Sequence, residues 1–130
     1  MLIHFPVALW PAHAGLHIFA SKLPSGMAAV TGFWLLIAGT ALGWLAALAG
    51  VSDLLGILKE NSPPKTSRGF IHASVNGSVL VAFTTIAIME YAHFPTISHG
   101  AAFLIAEGAL LAAMGIGNFF GGSLIWQQRG

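Results

Sequence analysis

At 130 residues the chain has the length of one small domain, yet only 7% of its residues are charged while 56% are apolar. A soluble domain carries about 25% charged residues, so five basic and four acidic side chains are too few to cover a water-facing surface, and the outside must face lipid. A net charge of +1 gives no basic patch for nucleic acid, and zero cysteines exclude disulfides, thiolate metal sites and cysteine-ligated iron–sulfur clusters.

A hydrocarbon core of roughly 30 Å needs about 20 helical residues, and the chain offers four such stretches. The first covers residues 2–20 and holds no Asp, Glu, Lys or Arg. It is not read as a signal peptide, because it lacks a basic leading region and the following segments are equally apolar. Lys22, Pro24, Ser25 and Gly26 interrupt the pattern before a second span at 30–55, uncharged until Asp53. The most hydrophilic stretch, 59–68, follows as a hinge. The third span is 70–91 and the fourth 101–126, separated by a loop holding His93 and His99. No strand alternation is visible, and helices satisfy the backbone in lipid. The expected fold is all-α: residues 1–130 form one integral membrane four-helix bundle.

Orientation follows the basic residues near the span ends. Lys59, Lys65, Arg68 and Arg129 share the side of both termini, and Lys22 alone lies on the other. Both termini are therefore expected in the cytoplasm, with the chain a multi-pass protein of a bacterial inner membrane. Small residues mark close packing: Ala113, Gly117 and Gly121 form one row, Gly39, Gly43 and Ala47 another, and Ala46, Ala49, Gly50 and Asp53 share a further face. Such faces admit either a neighbouring helix or a flat cofactor.

Two polar groups stand out within the spans. His4 opens the first span, Asp53 lies in the last turns of the second and His72 in the first turn of the third, so alternation brings all three toward one membrane face. Asn76 is one turn from His72 on the same face. Facing imidazoles on two helices can supply both axial ligands to a heme iron, with Asp53 and Asn76 fixing their other ring nitrogens. An interhelical hydrogen-bond network, a quinone or a metal ion would use the same residues.

The second group starts from His13 and His17, four residues apart and on one face, nearly opposite to His4. His17 approaches the far membrane side, where Glu90 ends the third span and Glu107 lies two turns into the fourth. The pair suits a second heme, a divalent metal site or a proton path. His93 and His99 are read as facing water or headgroups. Trp10, Trp44 and Trp126 are read as lipid-facing or interfacial.

Four segments carry a family resemblance. Leu2-Ile3-His4-Phe5-Pro6-Val7-Ala8-Leu9, Ala49-Gly50-Val51-Ser52-Asp53, Arg68-Gly69-Phe70-Ile71-His72-Ala73 and Gly121-Gly122-Ser123-Leu124-Ile125-Trp126 resemble motifs of a bacterial four-helix membrane family known as domain of unknown function 2231. The resemblance spans nearly the whole chain. It implies the four-helix fold, a setting in membrane electron transfer through relatives joined to Rieske-type modules, and His4 and His72 as the functional pair with Asp53 third. Ser123 and Gln127 or Gln128 stand where the family often has an acidic residue and a histidine, and His13 and His17 have no counterpart in the pattern.

The leading expectation is a small b-type cytochrome-like subunit rather than an independent enzyme. Heme b would be held by His4 and His72, with Asp53 and Asn76 beside them and a quinone or second heme nearby. Its partners would be the bilayer and other redox subunits of a hetero-oligomeric membrane complex. The alternatives are a cofactor-free structural subunit and a small metal-binding or transport protein built on His13 and His17.

Overall fold

The computed structural model describes residues 4–60, 62–94 and 99–126, with the side chains of residues 4 and 124–126 outside that description. Four helices follow in order: α1 (His4–Ile18), α2 (Met27–Lys59), α3 (Pro63–His93) and α4 (Ala101–Trp126), with a short 3-10 turn at Ala20–Lys22 after α1. No strand occurs among the described residues. The pairs α1–α2, α2–α3, α3–α4 and α4–α1 pack together, which is the closed ring of an up-down-up-down bundle. The molecule is an all-α membrane bundle.

The helix ends follow local chemistry. Gly26, with φ at 78°, precedes α2 in the left-handed region that a residue without a Cβ adopts at little cost. Pro63 and Pro64 open α3, where a missing N–H leaves no hydrogen bond unmade. The expected hinge at 59–68 therefore shrinks to the few residues around Ser62, because the prolines start a helix rather than break one. Of the four helices, α2, α3 and α4 are long and apolar enough to cross a membrane. The described part of α1 is 15 residues, a rise of roughly 22 Å. Residues 2 and 3 of the expected 2–20 span lie outside the described residues, and the helix closes at Ile18, two residues before the expected bound. Ser21, Lys22 and Pro24 end the regular helix there.

The core is an aromatic layer across the bundle. Trp10 stacks on Phe83 with ring centroids 4.2 Å apart and planes 7° from parallel, and Leu36, Val79, Leu80 and Met114 are buried around the pair. Trp10 thus points inward, contrary to the lipid-facing expectation. The reason is local: Gly39 and Gly43 leave no side chain in its way, and a Cβ on Gly39 would lie 2.9 Å from the indole. The small rows read from the sequence are filled by neighbouring side chains, Trp10 and Leu80 over Gly39 and Gly43, Asn76 and His72 over Gly117 and Gly121. Large apolar residues such as Trp34, Leu48, Ile88, Ile105 and Phe119 are exposed around the circumference, as a lipid-facing surface requires.

Truncation should separate the two populations. Phe83→Ala is expected to lower stability by about 3 kcal/mol or more, while Phe119→Ala, at a side chain 74% exposed, should leave the unfolding midpoint in mild detergent nearly unchanged.

Candidate functional site

The helical spacing of His13 and His17 places both rings on the inner face of α1, at the end of the bundle that holds the α1–α2 connection. His13 is fully buried, and so are Glu107 on α4 and, at 1% exposure, Glu90 on α3. α2 contributes its backbone: His13 Nδ1 lies 2.9 Å from the Gly32 carbonyl oxygen. A carbonyl only accepts, so Nδ1 carries the proton and donates, and Nε2 presents its lone pair in the neutral ring.

That Nε2 meets two carboxylates. It lies 2.9 Å from Glu107 Oε1 and 3.3 Å from Glu90 Oε1, yet neither contact satisfies hydrogen-bond geometry. His99, just before α4, completes the group, with Nε2 2.8 Å from Glu90 Oε1 and a side chain 2% exposed. His17 lies against His99 with ring centroids 3.7 Å apart and planes tilted by 51°, and its own Nε2 is buried without a hydrogen-bond partner. Gly32 makes the space: a Cβ there would stand 2.6 Å from His17 Nε2. One ligand atom from each of His13, His17, Glu90 and His99 lies within 4.8 Å of the others.

The electrostatics are out of balance. Among the described residues, the charged partners of Glu90 and Glu107 are histidines. Two ionised carboxylates in an apolar bundle cost several kcal/mol each after relaxation, and hydrogen bonds to neutral imidazoles return only part of that. Protons or a bound cation would each offset that cost.

His99 corrects the sequence reading. Its place in a loop implies a side chain facing water or headgroups, but the chain brings it back over the α1 histidines, where Glu90 holds it. His93 is exposed and its Nδ1 lies 2.8 Å from the Met89 carbonyl oxygen, one turn back on α3, outside the cluster.

The other polar group is arranged differently. His72 Nδ1 lies 2.8 Å from the Gly117 carbonyl oxygen, and Asn76 Nδ2 donates to the His72 carbonyl at 3.0 Å while lying 3.1 Å from the ring nitrogen. Asn76 and α4 thus hold the ring. Asp53 is exposed on α2 and makes no hydrogen bond or ion pair among the described residues. The His4 side chain lies outside the described residues. Measured by helical rise from the His13–Glu90 contact, His4 is about 13 Å along α1 and His72 about 27 Å along α3.

A methyl at Gly32 should disturb the cluster and nothing else. Gly32→Ala is expected to shift the ring resonances of His13 and His17 in histidine-labelled NMR spectra and to cost about 1–3 kcal/mol of stability. Gly15→Ala, on the same helix as the histidines but with nothing near its Cβ position, should leave those resonances in place.

No curated protein and no solved structure matches the chain. One family does, described as "Predicted membrane protein (DUF2231)", over residues 1–130. The chain, an apolar helical bundle with a buried histidine–carboxylate cluster at one end, belongs to this family of membrane proteins.

Proposed function

We propose that the chain is a small membrane metal-binding protein that takes one divalent transition-metal ion between His13, His17, His99 and Glu90. The observation that carries this reading is the convergence of four potential ligand atoms within 4.8 Å. A tetrahedral zinc ion with bonds of about 2.0–2.2 Å separates its donors by roughly 3.3–3.6 Å, so side-chain rotations that draw the widest pair in by about 1 Å close the shell. Three imidazoles with one carboxylate suit zinc, cobalt, nickel or copper and disfavour magnesium and calcium, which take oxygen ligands.

Charge supports the same occupant. A divalent ion cancels both carboxylates, and Glu107, 2.9 Å from His13 Nε2, supplies the second negative charge beside the ligand shell. Gly32 fixes the His13 tautomer from behind, in the way that outer hydrogen bonds orient metal-bound imidazoles.

Titration of purified protein with Co²⁺ followed by visible absorbance, and with Zn²⁺ by calorimetry, should give one site per chain. His13→Ala and Glu90→Ala are expected to weaken binding by at least about 100-fold, and Glu107→Gln by about 10–100-fold. His93→Ala should change nothing. Binding should weaken as pH falls, because protons compete for the donor atoms. Absence of a saturable site in the unmodified protein would end this reading.

A heme between α1 and α3, in a subunit passing electrons beside redox partners, is the second reading. It is favoured by His72: with Nδ1 donating to Gly117, Nε2 keeps the lone pair that an axial ligand needs. The difference of roughly 13 Å in the positions of His4 and His72 along their helices weighs against a shared iron. A Soret band lost in both His4→Ala and His72→Ala would support it, and a colourless protein would remove it.

A further inference from the structure

The cluster is closed on one side and open on the other. Toward the middle of the bundle, Trp10 lies one turn from His13 on α1 and is stacked on Phe83 with Leu36 wholly buried beside them. Buried packing of this kind leaves few voids larger than a water molecule. Lipid surrounds the flanks, and an ion bare of water does not cross it. Toward the α1–α2 connection, by contrast, a pit of about 270 Å³ opens, lined by His17, Ala20, Ser25, Gly26, Ala29 and His99 among others. His17 and His99 belong both to the wall of this pit and to the donor set.

We propose that the metal centre loads and empties through this pit alone, and that His17 and His99 are the first ligands an entering ion meets. The inference rests on the metal-binding reading and adds a route and a side to it. Apart from the histidines and Pro24, the lining is made of small residues, Ala20, Ser25, Gly26, Ala28 and Ala29, which leave room for an ion that still carries part of its water shell. Ions exchange that water for imidazole at His17 and His99 and then engage Glu90 and His13 below. The basic residues Lys59, Lys65 and Arg68 belong to the opposite end of the bundle, and Lys22 alone to this one, so the pit opens on the face away from the cytoplasm. The site is a one-sided receptor, not a channel.

The chain contains no cysteine, so single cysteines can be placed without background. Ser25→Cys sits at the exposed rim of the pit, and Ser67→Cys is exposed near the start of α3 at the other end. Each variant is modified with a trimethylammonium methanethiosulfonate, which adds bulk and positive charge, and Co²⁺ loading is followed by stopped-flow absorbance. Modification at Ser25→Cys is expected to slow loading by at least about tenfold, the scale on which a charged cleft changes association rates, and bound Co²⁺ should slow the modification itself. Modification at Ser67→Cys should leave the rate unchanged. Loading that is unaffected at Ser25→Cys, or slowed from the Ser67→Cys side instead, overturns the route while leaving the metal site intact. Failure of the unmodified protein to bind Co²⁺ at all overturns the metal reading and the route together.

Discussion

Two buried carboxylates whose charged partners among the described residues are histidines set the terms for this molecule. Elsewhere the bundle follows the rules of a lipid-facing protein: apolar residues outside, glycines where helices approach, and an aromatic layer through the centre. Glu90 and Glu107 break those rules at the loop end, where each is at most 1% exposed. A polar group that costly persists when something compensates for it. The surrounding residues converge on that compensation. α1 delivers two imidazoles and the approach to α4 a third, while α2 withdraws its side chains at Gly32 so that the rings fit.

The two histidine clusters illustrate how satisfaction separates packing from chemistry. Around His72, ring and amide are tied to backbone carbonyls and lean on the glycine face of α4. That arrangement locks α3 onto α4. Around His13, the Gly32 and His99–Glu90 hydrogen bonds are formed, but the contacts of His13 Nε2 with the carboxylates are misaligned, and His17 Nε2, Glu90 Oε2 and both Glu107 oxygens have no hydrogen-bond partner. Buried groups in that state call for an explanation, and the proposed cation is one that accounts for all of them together.

Much of this architecture is legible in the residues. The scarcity of charge and the length of the apolar runs give four helices and their membrane setting. The spacing of His13 and His17 gives a shared helical face, and Glu107 stands out as a lone acid in the fourth span. Other features are not legible. Helices α2 and α3 run past the hydrophobic stretches because Pro63 and Pro64 start a helix as readily as they end one. Trp10 turns inward because Gly39 and Gly43 lie opposite it, a relation between helices that a linear sequence does not display. His99 joins the cluster through chain reversal, and its sequence position suggests only a loop. The relative depth of His4 and His72 likewise depends on the offset between α1 and α3, which span counting sets too coarsely.

The central claim concerns which atoms surround the cation. X-ray absorption on the zinc-loaded protein measures this directly. The account predicts four nitrogen or oxygen donors at about 2.0–2.2 Å, with the outer-shell scattering of three imidazoles, reduced in His99→Ala. A zinc environment made of oxygen donors alone, or one untouched by loss of His99, would contradict it.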